Sequence, residues 1–336
     1  MIFRNYTPFP PVHFDSRDEN QRDYGVLVLR GTFMFRNGHR AHLLESQDPL
    51  VWKDEYFGDP QETALRVEGV LAPFKPATDV LIHANAMSPS GRAESTWTVA
   101  ASVGDVTKTL VVTGERRWQK RLGMTGLGAI QPALSVPIRY ELAFGGSYAD
   151  SFGEVKRWPD NPVGRGFPPK DRVEGALVPQ IFASEADVHK LAAGSEIESA
   201  GFGPIAPHWA PRCHCVGTYN EMWRRTRFPD LPSDFQFSYF NTGSKGLVFD
   251  PFLKGDERIE LVNLTDERRT VFALPGFQLA TILRFESGEI LPGPVMLDTV
   301  SIDAVQQVMH LTWRSVYPVD PAVRVLEVRV KDTYGV

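Results

Sequence analysis

The chain has 336 residues, of which 42% are apolar and 11% aromatic. That excludes a disordered polymer and allows one large domain or two smaller ones. The formal net charge of −5 leaves no basic surplus for generic binding to nucleic acid. With only two cysteines, Cys213 and Cys215, a disulfide framework is excluded, and a reducing compartment, the cytoplasm, is the expectation.

The opening stretch, "MIFRNYTPFPPVHF", is broken by prolines and charges and has no apolar core of signal-peptide length. No apolar run approaches the roughly 18 residues of a membrane helix. The densest, Val271 to Leu283, is interrupted by Pro275, Gly276 and Gln278. Neither a membrane nor a nucleic acid is an expected partner.

Strand patterns dominate. "YGVLVLRGTFMF" over Tyr24–Phe35 predicts a long strand. Thr78–Ala84, Ser95–Val103 and Lys108–Thr113 follow, with "SPSGR" at 88–92 as a turn. "PIRYELAF", Pro137–Phe144, alternates and ends at Gly145-Gly146. Short helices are predicted at Ser184–Gly194, with Ser184 as N-cap, and after Thr218-Tyr-Asn-Glu221, read as a capping box. Arg258–Leu264, Phe277–Phe285, Val295–Ile302 and Met309–Val316 are further strands. In "RVLEVRV", Arg324–Val330, the period of two places Leu326, Val328 and Val330 on a buried face, with Glu327 and Arg329 wet.

These signals predict a mainly β protein, with antiparallel sheets in sandwich-like halves and a long irregular insertion carrying a few short helices. Residues 1–144 form the N-terminal β-rich half. Residues 145–255 are the Gly-, Pro- and aromatic-rich insertion, and 256–336 complete the sheets. A long irregular stretch inside a compact chain is often functional.

The chain carries no G-x-S-x-G elbow and no H-E-x-x-H pair, so no catalytic residue, cofactor or metal ligand is assigned. His208, Cys213, His214 and Cys215 are the densest cluster of metal-type side chains. Structural zinc needs four ligands, usually as two separated pairs, and a strand would turn His214 away from both thiols. Plain thiols, a metal site and redox chemistry all stay open there. In "NPVGRGF", 161–167, the third glycine of a dinucleotide fingerprint and the Lys-Ser/Thr of a phosphate loop are missing, and Pro168-Pro169 follows. It reads as a rigid bend near "AFGG" and "GFGPI", with Arg165 satisfying carbonyls or a carboxylate such as Glu141. In "APFKPATD", 72–79, two prolines stiffen the entry to a strand, and Lys75 is placed to pair with an acid. Carboxylates such as Asp54, Glu55, Glu68, Asp79 and Glu141, with Trp52 or Trp158 as platforms, keep a carbohydrate-binding or carbohydrate-processing β-sandwich open as an alternative.

Ten stretches, taken in order, carry a resemblance: "TFMF" (32–35), "DEYFGDP" (54–60), "APFKPATDVLIHANA" (72–86), "GERRW" (114–118), "PIRYELAFGG" (137–146), "NPVGRGF" (161–167), "GFGPIAPHWAPR" (201–212), "GTYNEMW" (217–223), "PSDFQFSYFN" (232–241) and "IELVNL" (259–264). From about residue 5 to about 315 the chain resembles the bacterial domain-of-unknown-function family encoded beside type VI secretion spike and toxin genes. The resemblance implies an adaptor or chaperone, not an enzyme. It implies as partners a toxic effector encoded nearby and the trimeric spike or its proline-alanine-alanine-arginine tip protein. It supplies no site residues. Trp158, Arg165, Phe167, Phe202, Trp209 and Trp223 are the expected partner-binding residues, because aromatic and arginine side chains anchor protein interfaces.

Overall fold

The computed structural model describes residues 1–121, 123–167 and 174–331. In chain order, the principal strands begin with β1 (Ile2–Asn5), β2 (Pro11–Arg17), β3 (Asp23–Met34), β4 (Thr78–His83), β5 (Thr96–Val103) and β6 (Val106–Thr113). After the middle of the chain come β7 (Arg258–Val262), β8 (Arg269–Ala273), β9 (Leu279–Phe285), β10 (Ile290–Pro294), β11 (Met296–Asp303), β12 (Val308–Pro318) and β13 (Val323–Val330). Helices α1 (Glu185–Ala192) and α2 (Glu221–Thr226) lie between the two groups.

Three large sheets carry the core. The seven-stranded sheet runs Val248–Phe249, β4, β11, β12, β3, β2, with His42–Leu43 also paired to β3. Only its β4–β11 pair is parallel. The five-stranded sheet runs Ile181–Phe182, β6, β5, β7, β8 and is antiparallel throughout. The four-stranded sheet runs β1, β13, β9, β10, with β1 parallel to β13. The protein is thus mainly β and mostly antiparallel, as the strand patterns predict. In each sheet, strands from the C-terminal third lie against strands from the N-terminal third: β11 and β12 between β4 and β3, β7 against β5, and β13 against β1.

One core joins the sheets. Leu27, Val300 and Trp313 enter it from the first, Val99, Leu110 and Leu261 from the second, Leu283 and Leu326 from the third. Strand β3 is buried on both faces, since Val26 and Val28 pack separately with Val70. This accounts for its near-continuous apolar run. Gly25 is required in it, because a Cβ there would lie 2.2 Å from the Tyr317 ring.

Several local expectations change. "PIRYELAF" is not one strand. Pairing ends at Pro137, and a 3₁₀ turn follows at Tyr140–Leu142. The buried Asn161 side chain holds the turn, donating through Nδ2 to Tyr140 O (2.8 Å) and Phe144 O (3.0 Å). "NPVGRGF" wraps this segment as a bend. Gly145 pairs with Gly166, and the Gly146 N–H donates to Asn161 O (2.8 Å). Gly145, Gly146 and Gly166 have φ of +149°, +120° and +94°, a region open mainly to glycine. Arg165 reaches Gln180 Oε1 (3.5 Å) and not Glu141. The Glu141 Oε1 is already taken by Arg139 (2.7 Å) and the Ala64 N–H (3.1 Å).

Helix α2 forms where expected, but its cap is Asn220, whose Oδ1 accepts the Trp223 N–H (2.9 Å). Thr218 is drawn off by Asp234, which accepts its N–H (2.9 Å) and its hydroxyl (2.7 Å). Glu327, expected in water, is 1% exposed. It is paired with Arg4 (3.3 Å), Arg284 (3.4 Å) and Arg329 (3.0 Å). A period of two sets which face a side chain occupies; it does not say whether arginines wait there.

Candidate functional site

A cleft of about 810 Å³ opens along β6. It runs between that strand and the loop Gly243–Gly246, which leads into Val248 at the edge of the seven-stranded sheet. Glu198–Ala200, Asp160 and Pro211 with His214 complete the walls. Nearly all of these wall residues come from the irregular middle of the chain.

The β6 wall is an unfinished sheet edge. The Thr113 N–H donates outward to Gln180 O (2.8 Å). Alternate residues of a strand present their polar groups to the same side. With no register shift along β6, Val111, Thr109 and Thr107 therefore present theirs outward as well. Val111 meets Phe182, where the short strand Ile181–Phe182 stops. Among the described residues, the N–H and C=O of Thr107 and Thr109 have no backbone partner. Exposed edges of this kind accept a further strand unless something blocks them.

Lys108 stands between those two threonines. It shares the core-facing side of β6 with Leu110 and Val112. Its Nζ lies 5.9 Å from the Phe202 ring centre and donates to Ser244 Oγ (2.8 Å). Ser244 in turn donates to Gly201 O (3.1 Å). Among the described residues no carboxylate is ion-paired with Lys108. Glu198, whose charge favours the Lys108 ammonium, is occupied by Lys245 (3.0 Å). Burial pushes the Lys108 ammonium down to about 8, with Glu198 only partly opposing. Burial likewise pushes the Asp160 carboxyl up, reinforced by the charge of Glu198.

The opposite wall is held by a buried ion-pair network. Lys75 is 2% exposed and donates to Glu68, to Asp79 Oδ2 (2.8 Å) and to Thr299 Oγ1 (3.0 Å). Asp79 also accepts the N–H groups of Thr242 (2.8 Å) and Gly243 (3.1 Å) and the Asn241 amide (3.0 Å). A Cβ on Gly243 would lie 2.9 Å from Asp79 Oδ1. The stiff "APFKPATD" segment thus fixes the loop that carries Ser244 to Lys108.

The aromatics singled out in the sequence fall into three places. Phe202 and Trp209 lie in the main core, each 0% exposed, where neither ring has a surface to offer. Phe202 still backs Lys108, and Trp209 packs edge-on against Tyr140 (5.5 Å) and donates to His208 (3.0 Å). Trp158 and Phe167 are half-buried against each other (5.3 Å) and against Phe144 and Tyr148, with Arg165 adjoining. Trp223 sits apart from them on α2, between Tyr219 (4.6 Å) and Phe228 (5.7 Å). Cys213 and Cys215 are free thiols on a 3₁₀ turn, Arg212–Cys215, and not on a strand. Among the described residues no group of three or more His, Cys, Asp or Glu side chains is placed to hold a metal.

Sequence reading missed Lys108, Ser244 and the outward threonines. One signal was present: in "VTKTLVV" a lysine occupies the phase of the buried positions Leu110 and Val112.

Fold and cleft define a β-rich protein with an open strand edge, and among the described residues no helix is long and apolar enough to cross a membrane. Residues 20–314 match the model of DUF2169, an uncharacterized protein family conserved in bacteria, and the chain belongs to that family. No curated protein and no solved structure gave a match.

Proposed function

We propose that the protein is a cytoplasmic adaptor or chaperone of type VI secretion, which binds a toxic effector and helps load it onto the secretion spike. The observation that carries this reading is the open edge of β6, set in a cleft whose other walls come from the irregular middle of the chain. Strand addition is a general way to hold another polypeptide, since backbone pairing tolerates varied sequence. The order of the ten stretches named above supports the secretion context. Co-expression tests it: the neighbouring toxin gains soluble yield and co-elutes with this protein. A toxin equally soluble alone that never co-purifies overturns it.

Asp160 and Glu198 on the cleft walls favour a second reading, a carbohydrate-processing site, because burial and Glu198 raise the Asp160 carboxyl as a general acid requires. Tyr140 is the aromatic ring on that lining, and it is packed against Trp209. Glycan-array binding abolished by Asp160→Asn supports this reading, and a blank array removes it.

A further inference from the structure

We infer that the β6 cleft takes an extended polypeptide segment as an added strand, and that the segment brings one carboxylate to Lys108. The backbone of Thr107 and Thr109 and the ammonium between them form one recognition unit. The threonines offer N–H donors and C=O acceptors on the outer edge. Lys108 offers its remaining N–H donors beside them, with Ser244 satisfying one. A half-buried ammonium with no ion-paired carboxylate costs the fold and is offset when an anion arrives.

The walls decide which anion fits. Outward carbonyls of Thr107 and Thr109 reject phosphate oxygens but accept peptide N–H groups. Asp160 and Glu198 repel a polyanion such as nucleic acid while leaving room for a single charge against Lys108. The volume lies within the roughly 300–1,000 Å³ common for ligand sites. The carboxylate comes either from an Asp or Glu side chain within the segment or from a chain terminus. The inference rests on the adaptor reading only for who the partner is.

The probe is a capped octapeptide of alternating threonine and valine with one central glutamate. Its comparators carry glutamine there, or end in a free carboxylate with no glutamate, or are N-methylated at alternate amides. Fluorescence anisotropy should show an acid-bearing peptide, internal or terminal, binding at least about 10-fold more tightly than the glutamine peptide, as expected for a charge-assisted bond. The better of the two acids names the source. N-methylation should abolish binding, and hydrogen exchange at Thr107 and Thr109 should slow on binding. Lys108→Met should erase the acid preference while leaving the thermal melt and the N-methyl effect in place. Thr109→Pro, which removes an N–H outside the β5–β6 ladder, should abolish binding.

Equal binding of acid and amide peptides overturns the inference, as does unchanged exchange at the two threonines. Concentration-dependent dimerisation that protects the same amides without peptide also overturns it, assigning the edge to a second copy. If the toxin co-elutes equally well with Lys108→Met, the inference fails and the adaptor reading stands. If the acidic peptide binds but no toxin co-elutes, the adaptor reading fails and the inference stands.

Discussion

Lys75 and Lys108 both bear on the Gly243–Gly246 loop, Lys75 through Asp79 and Lys108 through Ser244, but of the two only Lys108 lines the cleft, and their surroundings differ in what they supply. Around Lys75 the fold provides Glu68, Asp79 and Thr299. Burial alone would lower that ammonium, but Asp79 and Glu68 outweigh it and hold it above its ordinary value. Around Lys108 the fold provides a serine hydroxyl, and burial wins. A charge compensated from within serves architecture; a charge left to be compensated from outside marks a place for a ligand.

The largest effect expected from breaking this contrast is on the Lys75 side. Asp79→Ala leaves the buried Lys75 ion-paired with Glu68 alone, beside the Thr299 hydroxyl, and orphans the Thr242 and Gly243 N–H groups. Denaturant unfolding should show a loss of about 3–5 kcal/mol, typical for breaking a buried pair. A loss under about 1 kcal/mol would mean the network is not what holds the Gly243–Gly246 wall.

Glu327→Ala is a middle case. It strips a buried carboxylate from Arg4, Arg284 and Arg329, whose side chains reach water and can be resolvated. The expected cost is about 1–3 kcal/mol by the same measurement.

Lys108→Met should change stability by less than about 1 kcal/mol, because the methionine chain covers Phe202 and Ser244 keeps Gly201 O. The same substitution should remove the acid preference proposed for the cleft. A large destabilisation would place Lys108 with Lys75 as architecture.

The smallest and most local effect is on pH. Lys108 titrates near 8 when folded against an ordinary 10.5. Between those values the unfolded chain binds the extra proton, so this group makes stability rise with pH there; below about 8 it is a constant cost. Lys75 has the opposite sign: its contribution is complete below the ordinary lysine value and is lost only as pH rises through its raised one. Reductive ¹³C-methylation and NMR titration should show one methyl-lysine midpoint near 8. Affinity for the acidic peptide should begin to fall above that pH.

Much of the scaffold was legible. The run Tyr24–Phe35 announced the long strand β3, and "RVLEVRV" announced β13. Helix α1 followed from Ser184 and from Gly194, whose φ is +84°. Legibility failed where a distant group decided the outcome. Asp234 took Thr218 from its cap, Asn161 bent "PIRYELAF" into a turn, and three arginines drew Glu327 inward.

The site follows the same division. Residue order determined that β6 exists, that Lys108 shares a face with Leu110 and Val112, and that the middle of the chain is irregular. These are consequences of local periodicity and backbone chemistry. Only the tertiary structure decided that the short strand Ile181–Phe182 stops at Val111 and leaves Thr107 and Thr109 open. It alone decided that Phe202 and Trp209 lie inside while Ser244 meets Lys108. Which strand neighbours which, and which charge finds a partner, depends on contacts across the whole chain, and no local pattern encodes those.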